Sequence, residues 1–196
     1  MRLVWPAAEY LPGYVDALER GWSPDNVRGA EAAREQLEKI ATDADAFLAS
    51  LVDREAKGDP IRLPDGTTVE RLPGYNRWIW DGEFCGAIGF RWARDNRGAA
   101  APGVVTEALP PHCLGHIGYS VVPWKRGRGY ATRALAELLP DAKAEGLKYV
   151  ELVTDHDNVP SQRVIEANGG VLVEEFIKPA IYGHNKRGFR YRVSLA

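Results

Sequence analysis

The sequence predicts an α/β protein with a mixed sheet and helices on both of its faces. Hairpin-like β segments occupy the middle of the chain, near residues 75–92, and β-α-β patterns follow from residue 115 onward. Antiparallel hairpins followed by β-α-β units favour a mixed sheet covered by helices. The 196 residues are enough for one domain with a full hydrophobic core.

The composition narrows the class of protein. The formal net charge is −2, so a nucleic-acid partner bound through the whole surface is not expected. The two cysteines, Cys85 and Cys113, lack CxxC spacing and give little support to a disulfide scaffold or a zinc ribbon. The N-terminus has no signal-peptide pattern and no stretch approaches the roughly 20 apolar residues of a membrane span. We therefore expect a cytoplasmic protein without a membrane partner.

The first 60 residues are expected to be largely helical. Residues 27–57 indicate one or two amphipathic helices, with Ser23 as N-cap and Pro24 at the first helical position. Residues 61–69 contain a turn between two short extended pieces. Strands at 75–80 and 84–92, joined by Asp81-Gly82, form a strong hairpin signal. Residues 93–114 form a polar, proline-rich loop that is long enough to have a functional role.

The second half of the chain alternates strands and helices. The expected elements are a strand at 115–122, a glycine-rich loop, a helix at 131–145 closed by Gly146, a strand at 148–154, a short helix at 160–168 that ends in Gly169-Gly170, and strands at 171–177 and 187–195.

The loop between the first strand and helix of this half reads Arg126-Gly127-Arg128-Gly129-Tyr130-Ala131. Two glycines let the backbone approach an anion, the helix start directs N–H groups toward it, and two guanidinium groups add charge. The loop lacks the Gly-Lys-Ser/Thr ending of a P-loop, and Thr132 stands where a dinucleotide fingerprint has its third glycine. We interpret it as a pyrophosphate cradle; a solvated surface turn or an RNA-binding patch is the alternative.

The spacing Arg-x-x-Gly-x-Ala at 126, 129 and 131 resembles the coenzyme A motif of the GNAT acetyltransferase superfamily. The elements that flank this motif in the family also have counterparts here: the strands at 115–122 and 148–154 and the segment from Asn158 to Gly170. The resemblance covers residues 70–195 and is most specific at 115–170. Within the superfamily it points to a branch of predicted acetyltransferases of unassigned substrate.

The resemblance implies one GNAT domain over residues 1–196, with antiparallel N-terminal strands followed by β-α-β-α-β around a splayed strand pair. Residues 1–60 would shape the acceptor site, and residues 70–195 would form the core with the coenzyme A site. The cofactor-binding residues implied are Val121, Val122, Arg126, Gly127, Arg128, Gly129, Tyr130, Ala131, Thr132, Asn158 and Ser161. The backbone N–H of Val121 or Val122 would hold the oxyanion, and Asn158 would cap a helix beside the pantetheine arm.

The catalytic candidates are His116 and Tyr119. His116 stands where some histone acetyltransferases of the superfamily have their Glu. A neutral imidazole at this position can accept the ammonium proton. The alternative interpretations of His116 are a polar residue on the solvated side of the strand and a hydrogen-bonded histidine in the core. Tyr119 lies on the opposite face by parity, so only one of the two can face the substrate. Ile165 stands where many members have the Tyr that serves as general acid. The coenzyme A thiolate would then be protonated by Tyr182, Tyr191, Ser161 or water.

The predicted function is transfer of the acetyl group of acetyl-CoA to a primary amine of a small molecule or peptide. A non-catalytic acyl-CoA sensor and, third, an RNA-binding module are the alternatives. No metal is expected, because His112, Cys113 and His116 lack a fourth ligand. Asp155, His156 and Asp157 are taken as a polar loop rather than pocket residues. A homodimer is left open.

Overall fold

The computed structural model describes residues 1–63, 65–95, 104–182 and 185–195. Within them the chain forms five α-helices and twelve strands. The helices are α1 (Leu11–Glu19), α2 (Ala30–Thr42), α3 (Ala44–Ser50), α4 (Tyr130–Ala144) and α5 (Val159–Glu166). The strands are β1 (Arg2–Val4), β2 (Val52–Asp53), β3 (Ile61–Arg62), β4 (Thr68–Val69), β5 (Gly74–Trp80), β6 (Phe84–Arg91), β7 (Ala93–Asp95), β8 (Val104–Thr106), β9 (Ile117–Val121), β10 (Tyr149–Asp155), β11 (Val171–Ile177) and β12 (Arg187–Ser194).

Two antiparallel sheets carry the fold. In the first sheet β5 pairs with β6 and β6 with β9, while β1 and β2 both pair with β5. The predicted hairpin is β5–β6, and its register shifts beside the Asp81-Gly82 turn, between Ile79 and Trp80. In the second sheet the C-terminal strand β12 lies between β10 and β11. The predicted mixed α/β architecture is confirmed.

The first sheet separates two hydrophobic cores. Because side chains alternate along a strand, Tyr75 and Ile79 face one side of β5 and Trp78 faces the other. The first core packs against α4 and contains Ile88 and Leu135, together with residues of β10 and β12. The second lies under α1, α2 and α3 and is largely aromatic: Tyr14, Trp22, Phe47, Trp78 and Phe84.

One expectation about the N-terminal region was wrong, and one helix there was not anticipated. The helix predicted to start at Pro24 begins at Ala30, because the Asp25 carboxylate accepts hydrogen bonds from the N–H groups of Val27 and Arg28 and holds residues 25–28 in a turn. Helix α1 was not predicted, although its buried residues Tyr14, Ala17 and Leu18 have helical i, i+3, i+4 spacing. Its second residue is a proline, which the first turn of a helix tolerates.

Candidate functional site

Strands β9 and β10 form a fork between the two sheets. They meet where the His116 N–H donates to the Glu151 carbonyl at 2.8 Å. Gly115 lies so close to this junction that a Cβ there would be 2.9 Å from the same carbonyl oxygen. Beyond it β9 pairs only with β6, and β10 only with β12, among the described strands. The predicted splayed pair is therefore present, with its closed end at His116.

His116 lies at the closed end of this fork and is fully buried. Its Nδ1 accepts a hydrogen bond from the Glu151 N–H at 3.0 Å, so the imidazole replaces the partner that this amide loses as the strands part. Burial lowers the pKa of His116 to about 4, despite the neighbouring Glu151 carboxylate. This enclosed, hydrogen-bonded ring has the environment of the core histidine that the sequence left as the alternative to a general base.

The backbone N–H groups of Val121 and Val122 point in different directions. The Val122 N–H donates to the Cys85 carbonyl at 3.0 Å and is therefore not available as an oxyanion donor. Hydrogen-bonding direction alternates along an antiparallel strand, so the Val121 N–H points away from β6 and into the fork. The Val121 carbonyl accepts from Arg126 Nε at 3.2 Å, which joins this position to the loop that follows.

The glycine-rich loop has the geometry of an anion cradle. Gly127 and Gly129 have φ values of 76° and 71°, the left-handed region that favours glycine. The first intrahelical bond of α4 runs from the Arg133 N–H to the Gly129 carbonyl at 3.1 Å, so the N–H groups at 129–132 are not used by the helix. Both arginines of the loop, Arg126 and Arg128, are exposed. These features fit a pyrophosphate group.

A charged network that the sequence did not reveal fixes this loop to the β5–β6 hairpin. The ammonium of Lys125 lies 3.1 Å from both carboxylate oxygens of Asp81 and 3.0 Å from Glu83. The Tyr130 hydroxyl also donates to Asp81. Burial alone would raise the pKa of the Asp81 carboxyl, but hydrogen bonds from Tyr130 and Lys125 outweigh it and hold the pKa far below its ordinary value. The Tyr130 side chain thus supports the loop, and only its backbone is open to a ligand.

The far side of the fork is formed by α5. Asn158 caps this helix, its side-chain oxygen accepting from the Ser161 N–H at 3.2 Å. The Tyr119 hydroxyl reaches across the fork and donates to the Ser161 carbonyl at 3.3 Å. Burial raises the pKa of Tyr119 to about 12, so the phenol keeps its proton at neutral pH. The Thr132 carbonyl accepts from Asn168, which joins the start of α4 to the end of α5.

Ile165 and two candidate acids, Tyr191 and Tyr182, are engaged elsewhere in the structure. Ile165, at the usual Tyr position, is 1% exposed and belongs to the α4 core. Tyr191 is buried in the same core and donates to Glu166 at 3.0 Å. Tyr182 donates to the His112 carbonyl, and burial raises its pKa.

A cavity of about 540 Å³ opens on the opposite face of the first sheet from α4. Its floor includes Asn76, Gly89 and Gly118, and it extends along β9 to Tyr119 and Ser120. Its walls come from residues 24–28, 50–53, 61–63, 69–72 and 112–113 and from Tyr182. The N-terminal region therefore contributes to this cavity, mainly through its loops rather than its helices.

Asp155, His156 and Asp157 line a separate depression of about 250 Å³ together with Lys186 and Arg187. Asp155 forms ion pairs with Lys178 and Lys186. In the described parts of the chain, no group of three or more His, Cys, Asp or Glu side chains is arranged to hold a metal ion. No helix in those parts is long and apolar enough to cross a membrane.

Solved structures similar to this chain include proteins named as acetyltransferases. The microcin self-immunity acetyltransferase MccE, in complex with acetyl-CoA and AMP, aligns with a TM-score of 0.58 and 13% identity over 98% of this chain and 91% of that one. A chimera of the Vibrio cholerae spermidine N-acetyltransferase SpeG and hSSAT aligns with a TM-score of 0.58 and 10% identity over 100% and 97%. Mycobacterium smegmatis RimJ, in complex with CoA-disulfide, aligns with a TM-score of 0.56 and 19% identity over 95% and 76%.

At these identities the structural likeness establishes the fold alone. No curated protein matches the sequence significantly. The family model described as "Acetyltransferase (GNAT) domain" matches residues 34–171, which is most of the chain. The chain therefore belongs to the GNAT acetyltransferase family and is an acyltransferase.

Proposed function

We propose that the protein transfers the acetyl group of acetyl-CoA to a primary amine of a small molecule or peptide by direct attack in a ternary complex. The observation that carries the proposal is the position of Val121. Its free N–H points into the fork, its carbonyl contacts Arg126 of the cradle, and the cavity reaches the neighbouring Ser120. One strand end thus lies between a site for the cofactor and a site for an acceptor.

The residues have separate roles in this proposal. The open N–H groups at 129–132, with Arg126 and Arg128, bind the pyrophosphate, and Asn158 and Ser161 border the pantetheine arm. The Val121 N–H stabilises the oxyanion that develops as the new N–C bond forms. When the C–S bond breaks, the departing thiolate takes a proton from the Tyr119 hydroxyl, and the second proton that the nitrogen loses as the amide forms returns to the Tyr119 oxygen through water. Because His116 is enclosed, water in the cavity takes the ammonium proton.

The structural neighbours support the choice of substrates. Two of them hold acetyl-CoA or a coenzyme A derivative, and the name of another assigns it spermidine as acceptor. Attack by an amine requires its neutral form, so kcat/KM is expected to rise with pH toward the pKa of the amine.

The test is free-thiol release from acetyl-CoA with a panel of amines, together with calorimetric measurement of coenzyme A binding. Release that depends on an amine supports acetyl transfer. The absence of the usual Tyr at Ile165 favours one alternative, a non-catalytic acyl-CoA sensor. Tight binding without turnover for every amine would replace the enzyme by that sensor.

A further inference from the structure

Arg91 places a positive charge on the floor of the cavity. It is the last residue of β6, and its side chain extends over β9: Nη2 lies 3.8 Å from the point where a Cβ on Gly118 would stand. Nη1 contacts Cys113 Sγ at 3.9 Å. No carboxylate of the described residues lies within ion-pair distance of this guanidinium, which is exposed to the cavity.

Most of the neighbouring charged side chains on the cavity wall are held by hydrogen bonds or ion pairs within the protein. Asp25 accepts hydrogen bonds from two backbone N–H groups, and Asp53 accepts two more and lies 3.8 Å from Arg71. Arg28 pairs with the acidic side chains of α2. Arg62 and Glu70, of opposite charge, belong to the β3–β4 side of the wall. Among the described residues, Arg91 is the cation on the cavity floor that no carboxylate pairs with.

From this arrangement we infer that the acceptor amine carries an anionic group, a carboxylate or a phosphate, that Arg91 binds; the inference rests on the proposed acetyl transfer. A guanidinium presents several N–H donors in a plane and binds both oxyanions in a bidentate manner. A second ammonium group at the same place would be repelled. The site thus favours amino acids or amino phosphates over polyamines.

The geometry also sets a distance between amine and anion. Gly118, beneath the guanidinium, is three residues before Val121 on β9, which corresponds to roughly 10 Å along a strand. The amino and carboxyl groups of one α-amino acid are closer together than this. We therefore place the reactive amine at the end of a side chain or linker of several bonds.

The experiment compares four acceptors with the same chain and amine: aminohexanoate, aminohexyl phosphate, aminohexanamide and hexanediamine. The better anionic acceptor should exceed the amide in kcat/KM by about 10- to 100-fold, the range that a charged hydrogen bond supplies. Comparing the carboxylate with the phosphate decides between the two anions. In Arg91→Met the advantage should fall to about one through a higher KM for the anionic acceptors.

Arg94→Met is the matched control, because Arg94 is exposed nearby and does not line the cavity. Equal activity with all four acceptors, a preference for hexanediamine, or an anion preference that survives Arg91→Met would overturn the inference while leaving acetyl transfer in place. If no amine is turned over, acetyl transfer fails instead. Calorimetric binding of aminohexanoate and its amide in the presence of coenzyme A then tests Arg91 separately.

Discussion

The cofactor cradle and the acceptor cavity are built in different ways. The cradle consists of consecutive residues, 126–132, whose open N–H groups follow from two glycines and a helix start. The cavity takes its lining from segments spread between residues 24 and 182. An anion site can thus be formed by local backbone conformation, whereas an acceptor site depends on long-range packing. The two regions meet at residues 119–121 of β9.

The largest effect, on coenzyme A binding, is expected at Gly129, where the cradle depends on local backbone conformation. Gly129→Glu places a carboxylate among the N–H groups that face the pyrophosphate and should weaken coenzyme A binding by about 1,000-fold or more, or ~4 kcal/mol. Calorimetry with coenzyme A measures this change. Gly146→Glu is the control: it follows the other end of α4, also has positive φ, and also has open space around it. Equal affinities of the two variants would exclude the cradle assignment.

The next effect concerns the closed end of the fork. The pKa of His116 is lowered from 6.5 to about 4 in the folded protein. Folding therefore favours the neutral imidazole. The contribution of His116 to the free energy of unfolding is complete above pH 6.5 and is lost as the pH falls toward 4, a loss on the order of 3 kcal/mol. His116→Asn keeps an acceptor for the Glu151 amide but cannot titrate, so its unfolding free energy should lack this component.

Turnover distinguishes this structural role from general base catalysis. His116→Asn should keep kcat within a few-fold of the native value and leave the acid limb of the pH–rate profile unchanged. A loss of more than about 100-fold in kcat together with that limb would instead establish His116 as the base.

A smaller effect is expected at Asp81, a distant residue on which the position of the cradle depends. Asp81→Asn removes the carboxylate that pairs with Lys125 and should lower the free energy of unfolding at pH 7 by about 2 kcal/mol. Asp81 stabilises the fold when ionised, so the difference should shrink as the pH falls below about 4. Coenzyme A affinity should fall by roughly 10-fold as the loop loosens.

Chemical denaturation and calorimetry measure these changes, with Asp16→Asn as control because Asp16 forms only an exposed ion pair with Arg20. If stability fell and affinity did not, the network would support the fold and not the cradle.

The smallest effect is expected at the boundary between the two regions. Tyr119→Phe removes the hydroxyl that donates to Ser161. If this phenol protonates the thiolate, kcat should fall by about 10-fold, less than the roughly 100-fold or more typical of general acid catalysis, because a thiolate is a stable leaving group. Coenzyme A affinity should not change. Steady-state kinetics with the best acceptor gives both values, and an unchanged kcat would assign the proton to water.

The sequence was informative where structure depends on neighbours in the chain. The hairpin at 75–92, the strand–loop–helix unit and the Asn158 cap could all be predicted, because turn residues, glycines and caps act locally. His116 could not be placed, since parity gives the face of a strand but not whether the adjacent strand encloses it. Asp81 was visible only as a turn residue, because its partners are 44 and 49 positions away. Arg91 drew no attention for the same reason.

The separation of two cores by one sheet has a consequence for how such a protein can change. Gly89 and Gly118 on the cavity floor, and the loops above them, belong to a different face from the residues that support α4. Substitutions in the cavity can therefore alter which acceptor is accepted without repacking the support of the cradle. The specificity for the acceptor can therefore change, in evolution or by design, independently of the cradle.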